Sequence, residues 1–329
     1  MENKQISSEN ITLYRAIAMT MVVLYHCTCY YAHPTSPFGE GPYVPFLKLA
    51  TTLMGGIHMP VFVFISGYLF WYFKKQGRYN DLSKFYKSKL LRLLVPYVFI
   101  GGVMVLVFKE FYSCKVLLYG IAHLWFLLML FGQFIIAPGA WWLFEKFQND
   151  RVVTGVVVST LLLYPLFCDI TLFQITKVFY FLPYFSLGYL LIRRGASTLY
   201  RDWFFWLALI ATAAILFILT PKSLFIDKIS REYASMIIII ALTLIPNISI
   251  TQGRKIIDFI SANSMGIYLF HQIIVALFYM NPTTKAMLDT YNPYVSVCIL
   301  FAVVFGLSLL TSIIFNKFRF TRFLIGSKI

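Results

Sequence analysis

Residues 11–32 read ITLYRAIAMTMVVLYHCTCYYA, an apolar run that contains two ionisable side chains, Arg15 and His26. A helix of this length crosses the hydrocarbon core of a bilayer. The residues from Arg15 to His26 make about three helical turns, so both side chains share one face, about 16 Å apart along the axis. An ionisable group at membrane depth costs several kcal/mol unless it faces a bundle interior or a wet cavity. The stretch therefore predicts a first membrane helix with a polar face toward a bundle.

The composition of the whole chain also indicates a membrane protein. The 329 residues are 60% hydrophobic and 12% charged, with a mean hydropathy of +0.76. Soluble domains carry about 25% charged residues, so a soluble fold is excluded. The net charge of +15 arises from Lys and Arg in short loops between apolar runs, where such residues set topology. Nucleic-acid binding is not expected, because no known motif or basic-aromatic groove accompanies the charge.

Apolar runs of roughly spanning length recur along the chain. We predict ten membrane helices, at 11–32, 48–73, 91–111, 121–144, 152–168, 176–192, 203–220, 233–250, 256–280 and 294–316. With the amino terminus in the cytoplasm, 19 of the 28 Lys and Arg residues lie inside, 8 lie outside and one lies in the membrane. This asymmetry predicts that both termini are cytoplasmic. The expected fold is an all-α bundle of about ten transmembrane helices, one domain over 1–329, with no cleavable signal peptide and no appended soluble domain.

The polar pair on the first helix has two interpretations. Arg15 is either a snorkelling anchor near the cytoplasmic end or a cation at the mouth of a polar channel, where it suits phosphate binding through paired hydrogen bonds. His26 is either a buried histidine bonded to a neighbouring helix or a general base, a role in which histidine is frequent.

The second apolar run contains GGIHMPVFVFISGYLF at 55–70. We expect Pro60, just after His58, to break the helix locally and to free backbone carbonyls. Ser66 and Gly67 offer a point where another helix can approach closely. His58 is either a structural contact at this break or part of a polar site.

Two further histidines lie in later runs. His123 and Trp125 open the fourth run on the predicted outer side, where Trp is ordinary as an interface anchor. His123 is either structural or suited to orient a hydroxyl-bearing acceptor. His271 lies in the ninth run at a depth similar to that of His26, and we expect it to pack against the site or to support a residue in it.

The most basic segment, KKQGRYNDLSKFYKSKLLRLLVPY at 74–97, precedes and enters the third run. Its charges set topology under the positive-inside rule. Lys89 and Arg92 are three residues apart and would share a face of an α-helix. With Arg15 they would suit an anionic cytosolic ligand at the membrane boundary. No Walker or dinucleotide-binding glycine pattern accompanies them.

The five cysteines lie in or beside apolar runs. No pair of Cys or His has the spacing of a zinc site or of a disulfide framework. We therefore expect small apolar fillers and no bound metal.

The chain resembles acyltransferase family 3, the multi-pass membrane acyltransferases that modify bacterial surface glycans and related molecules. No single segment is specific, but the order and spacing of several segments across the chain carry the resemblance. These segments are RAIAMTMVVLYH at 15–26, MPVFVFISGY at 59–68, KLLRLLVPY at 89–97, HLWFL at 123–127, YFLPYFSLGY at 180–189 and SMGIYLFH at 264–271.

The resemblance implies transfer of an acetyl or other short acyl group from cytosolic acyl-CoA to a hydroxyl, with acetyl-CoA as co-substrate and no permanently bound cofactor. The family's first-helix histidine matches His26, the expected catalytic residue, and its first-helix arginine matches Arg15. Its basic pair, associated with the CoA donor, matches Lys89 and Arg92. The family often has an acidic residue at the position of Thr12 and arginine at the position of Lys89. Lysine keeps the charge but loses the planar guanidinium fork.

The resemblance also implies an acceptor on a surface polysaccharide or a lipid-linked sugar, and a location in the bacterial cytoplasmic membrane. Ten helices with polar groups near the midplane are equally compatible with a transporter that exports a glycan or small organic acid. A third alternative is a structural membrane partner of glycan-synthesis proteins.

Overall fold

A computed structural model describes residues 6–32, 42–109, 112–147, 149–151, 153–155, 170–246, 248 and 250–327. These residues are helical or lie in short connections, and none of them forms a strand. The main helices are α1 (Ser8–Ala32), α2 (Pro45–Lys75), α3 (Leu82–Val107), α4 (Ala122–Phe147), α5 (Leu172–Tyr180), α6 (Leu182–Arg194), α7 (Trp203–Leu219), α8 (Ser230–Leu244), α9 (Arg254–Met280) and α10 (Pro293–Lys317). The protein is a helical membrane protein, as the composition predicts.

Six of the described helices, α1 to α4, α9 and α10, are long and apolar enough to cross a membrane. The pair α5 and α6 bends by 46° and makes a seventh span if it is counted as one. Helices α7 and α8 are shorter than a full span. Most of the predicted helix at 152–168 lies outside the described residues. Ten spans and cytoplasmic termini stay predictions.

Contacts within the chain define two compact units. The first unit comprises Met1–Ile11 and Pro60–Ile248, and the second comprises Thr12–Met59 and Ser249–Ile329. Two of the three boundaries fall inside α1 and α2, and the third lies between α8 and α9. The single domain over 1–329 stays a prediction.

Helices α2 and α6 approach backbone to backbone in the first unit. A Cβ added to Gly67 would lie 2.3 Å from the carbonyl oxygen of Phe185, and one added to Gly188 would lie 2.5 Å from the backbone nitrogen of Tyr68. The indole of Trp71 donates a hydrogen bond of 2.9 Å to the same Phe185 oxygen. The predicted close approach at Ser66 and Gly67 is confirmed.

The predicted break at Pro60 is wrong, because α2 continues as one helix from Pro45 to Lys75. Proline removes one backbone donor, and helices in membranes tolerate that loss where side chains and neighbouring groups satisfy the freed carbonyls.

Helices α9 and α10 pack tightly in the second unit. A Cβ on Gly266 would collide with the Ser312 side chain, at 2.1 Å from its oxygen. The Ser312 hydroxyl donates to the Asn263 side-chain oxygen at 3.1 Å. Small residues and interhelical hydrogen bonds of this kind hold membrane helices together, because burial of apolar surface gives little drive in lipid.

Candidate active site

The residues singled out in the sequence fall into both units. The second unit holds Arg15, His26, His58 and His271, and the first unit holds Ser66, Lys89, Arg92, His123 and Trp125. The second unit contains three of the five histidines, and the fold brings these three together from three different helices.

The three histidines of the second unit form a chain of ring contacts with Tyr25. The rings of His26 on α1 and His271 on α9 have centroids 5.0 Å apart. Tyr25 lies 5.0 Å from His26 and 5.1 Å from His58 on α2, centroid to centroid. We call these four residues the histidine cluster. His26 and His271 lie near opposite ends of the sequence, so their contact depends on the tertiary fold.

Backbone contacts set the tautomers of the two most buried histidines. The Nδ1 atom of His271 lies 2.8 Å from the carbonyl oxygen of Tyr268 and 3.1 Å from that of Ile267. Nδ1 of His58 contacts the carbonyl oxygen of Met54. A carbonyl only accepts hydrogen bonds, so Nδ1 carries the hydrogen in both rings, and Nε2 is an acceptor in the neutral form.

His26 is less buried than the other two histidines of the cluster. His271 is 0% exposed and His58 is 4% exposed, whereas His26 is only half-buried. Of the three rings, His26 is therefore the best placed to meet a substrate. Arg15, also half-buried, lies about three turns earlier on α1.

A group of tyrosines continues from the histidine cluster. Tyr30, one helical turn after His26, stacks on Tyr279 with centroids 4.6 Å apart. The Tyr279 hydroxyl donates to the Cys27 carbonyl at 2.8 Å, and the Tyr30 hydroxyl donates to a carboxylate oxygen of Asp289 at 2.7 Å. Our sequence interpretation missed Tyr25 and this group. The spacing from His26 to Tyr30 was the available signal, because residues four apart share a helix face.

In the first unit, the ammonium group of Lys89 lies against aromatic rings. Its Nζ is 3.7 Å from the ring centroid of Phe134 and 5.5 Å from those of Tyr79 and Phe85. Such contacts stabilise a cation. Burial raises the pKa of the Tyr79 phenol, against the opposing effect of Arg92, so this hydroxyl stays neutral and able to donate a hydrogen bond.

The backbone between Lys89 and Arg92 is not a regular α-helix. Leu90–Leu94 forms a π-helical turn in which the Val95 N–H bonds to the Leu90 carbonyl. A π turn advances by a smaller angle per residue than an α turn, so the spacing of three residues alone does not fix which face the two side chains share. Pro96 lies two residues after the turn and has no N–H for an α-helical bond, which favours the wider turn. The side chain of Arg92 is exposed, whereas that of Lys89 is half-buried.

His123 and Trp125 lie at a strained corner of the first unit. His123 is 5% exposed, and Ala122 beside it has a positive φ of 41°, a conformation that costs about 1–3 kcal/mol in a residue other than glycine. The Trp125 ring stacks on Phe181 with centroids 5.7 Å apart, and the Lys177 ammonium lies 4.1 Å from the Trp125 centroid. The corner therefore combines a buried histidine with a half-buried Trp125 ring that contacts an ammonium group.

Within the described residues, no three His, Cys, Asp or Glu side chains are arranged to hold a metal ion. The histidine cluster places the half-buried His26 ring beside the buried imidazole of His271. A neutral imidazole that is accessible in this way can accept a proton from a bound group.

Comparison with known families gives the class of this membrane protein. The family described as an acyltransferase domain, acyltransferase 3, matches residues 8–315, which is essentially the whole chain. The chain therefore belongs to this family, and the resemblance seen in its segments is confirmed. The protein is a membrane acyltransferase. No curated protein and no solved structure matches it.

Proposed function

We propose that the protein moves an acetyl or other short acyl group from cytosolic acyl-CoA to a hydroxyl of a surface polysaccharide or lipid-linked glycan. The observation that carries the proposal is the half-buried His26 in contact with His271, whose tautomer is fixed. Family membership supports acyl transfer as the reaction class. The donor, the acceptor and the role of each residue are part of the proposal.

In the proposed mechanism, His26 removes the proton from the acceptor hydroxyl as its oxygen attacks the thioester carbonyl. The tetrahedral intermediate collapses to the new ester and expels the CoA thiolate, which takes a proton. The oxyanion of the intermediate needs hydrogen-bond donors. His58 is a poor candidate in its neutral form, because Nδ1–H faces the Met54 carbonyl and Nε2 only accepts. Ser66 and backbone amides remain candidates. In an alternative mechanism, the acyl group is first bound covalently to His26 and then transferred to the acceptor hydroxyl.

We place the protein in a bacterial cytoplasmic membrane with ten spans and both termini in the cytoplasm, and the distribution of Lys and Arg supports this orientation. In that topology Arg15, Lys89 and Arg92 lie toward the cytosol, where acyl-CoA is present, and His26 lies toward the outer half of the bilayer. The nucleotide phosphates of the donor then meet the basic residues, and the slim pantetheine arm extends into the protein. His123 and Trp125 lie toward the outer side and are proposed to contact the acceptor.

His271 is proposed as a positioning residue for His26. We expect His271→Phe to lower kcat about tenfold or more, since misorienting a general base loses part of its roughly 10²–10⁴-fold contribution. KM for acyl-CoA should stay unchanged, because the proposed contacts with the donor are made by other residues. Steady-state kinetics at matched protein levels measure both constants. The control is Tyr268→Phe, which leaves the backbone carbonyl beside His271 in place. Equal effects on kcat and KM, or a loss matched by the control, would argue against this role.

Lys89 is proposed to bind a donor phosphate. We expect Lys89→Gln to raise KM for acyl-CoA about tenfold, which corresponds to one charge-assisted hydrogen bond, with little change in kcat. Lys87→Gln removes an equal charge from an exposed position on the same helix and should leave KM within about twofold of the wild type. The prediction fails if both variants change KM alike.

The overall proposal is tested by release of free CoA thiol from acetyl-CoA in native membranes that contain the protein and host lipid-linked glycans. Acceptor-stimulated release, absent from membranes without the protein, is the expected result. A transporter would not need thioester turnover. If acetyl-CoA, succinyl-CoA and alternative glycans all give background release while a glycan still depends on the protein to reach the cell exterior, the transporter is favoured. Co-purification with glycan-synthesis proteins without turnover would favour the structural partner.

A further inference from the structure

A polar cavity lies in the first unit where α6 ends and α7 begins, away from Lys89 in sequence. Its volume is about 730 Å³, and Asp150, Arg151, Arg194, Arg201 and Asp202 contribute to its lining. Ligand pockets commonly measure about 300–1,000 Å³. In the topology predicted from Lys and Arg, this cavity opens on the cytoplasmic side. The roles proposed above use none of its residues.

Two aspartates of the lining, Asp150 and Asp202, form ion pairs with Arg194. Asp150 forms ion pairs of 2.7 Å with Arg193 and 3.3 Å with Arg194. Arg194 also pairs with Asp202, whose side chain is 11% exposed. Asp202 in turn caps α7 by accepting from the backbone N–H groups of Phe204 and Phe205. The Arg194 guanidinium is therefore held by two carboxylates.

The other two arginines of the lining remain available to a ligand. The side chains of Arg151 and Arg201 are exposed, and neither pairs with a carboxylate within the part of the chain that the structure describes. The lining contains three arginines and two aspartates. One of these aspartates, Asp150, also pairs with Arg193, which is not part of the lining. The cavity therefore carries a net positive charge. The Arg151 guanidinium lies 5.6 Å from the Phe204 ring centroid, a contact that orients a guanidinium plane.

The rim of the cavity is aromatic and continues into an apolar helix. Trp203, the first residue of α7, lines the cavity and is 69% exposed. Further along α7, Ile210 and Ile218 are also exposed. A ligand with a phosphate group and an aromatic or apolar remainder would satisfy both parts of this surface.

We propose that this cavity is a phosphate-binding site, in which Arg151 and Arg201 bind the phosphate and Trp203 contacts the rest of the ligand. Guanidinium groups bind phosphate oxygens through paired, charge-assisted hydrogen bonds. Two sources share this chemistry: the nucleotide end of coenzyme A, and the headgroup of an anionic phospholipid whose chains lie along α7. The proposal concerns binding and does not rest on the acyl transfer proposed above.

The test uses the full chain in lipid nanodiscs. Calorimetry measures binding of coenzyme A in discs of neutral phosphatidylcholine, and native mass spectrometry counts the phosphatidylglycerol retained from mixed discs. The test variant is Arg151→Gln/Arg201→Gln. The matched control, Arg254→Gln/Arg319→Gln, removes two arginine charges from the second unit. The single variants Arg151→Gln and Arg201→Gln provide the test if the double variant does not fold.

We expect the double variant to weaken binding of one probe about a hundredfold, from roughly tenfold for each arginine, while the control stays within about twofold. Loss of coenzyme A binding identifies a nucleotide site, and loss of retained phosphatidylglycerol identifies a lipid site. Equal binding by wild type, variant and control overturns the proposal, as does absence of binding of both probes to the wild type. If the protein binds either probe at these arginines but never releases CoA thiol, the phosphate site stands and the acyl-transfer proposal fails.

Discussion

His26→Ala is expected to reduce acceptor-dependent release of CoA thiol by about 10²–10⁴-fold, the usual contribution of a general base. Alanine removes the only half-buried imidazole of the histidine cluster and leaves the buried rings of His58 and His271 in place. The measurement compares native membranes at matched expression, with acetyl-CoA and lipid-linked glycans supplied. Mass spectrometry of the glycan checks that the lost thiol signal corresponds to lost acyl groups.

Tyr25→Phe is the matched control for this variant. It changes the residue next to His26 but retains an aromatic ring for the contacts with His26 and His58, so it should keep most of the activity. If His26→Ala and Tyr25→Phe release CoA at the same rate, His26 is not the base. If His26→Ala alone loses activity, labelled acetyl-CoA supplied without acceptor separates the two mechanisms: label that stays on denatured wild-type protein indicates a covalent intermediate.

Gly67→Val is expected to destabilise the first unit by about 3 kcal/mol or more, the upper range for overpacking a tight contact. A Cβ at this position would lie 2.3 Å from the Phe185 oxygen and 2.7 Å from the Phe185 Cα. Both atoms belong to the backbone of α6, so no side-chain rotation relieves the collision. The Trp71 hydrogen bond to the same oxygen would be lost as the helices separate.

The experiment compares the thermal unfolding of detergent-solubilised protein and the fraction that elutes as a single folded species. Gly102→Val is the control, because an added Cβ at this helical glycine of α3 would meet no atom within 4 Å beyond the neighbouring backbone of its own helix. It introduces the same β-branched side chain into a helix and should lower the midpoint only slightly. If both variants unfold at the same temperature, the contact between α2 and α6 is looser than the geometry indicates.

The regular helix period made several features predictable. It places Arg15 and His26 on one face of α1, and the Ser66–Gly67 pair marks the point where α6 approaches α2. These predictions hold because they depend on residues a few positions apart in one helix. The sequence did not show the π turn at Leu90–Leu94, and the break predicted at Pro60 is wrong because α2 keeps its regular period there.

The sequence alone determined that this chain is a helical membrane protein with an ionisable pair on its first helix, because length, hydropathy and helix period are local properties. The tertiary structure decided which side chains meet. It places His271 against His26, aromatic rings around Lys89, and two aspartates in ion pairs with Arg194 in the polar cavity. Contacts between helices distant in sequence depend on how whole surfaces fit, with small residues such as Gly188 and Gly266 setting the closest approaches. No local pattern contains that information, since many pairings of apolar helices bury similar surface in lipid.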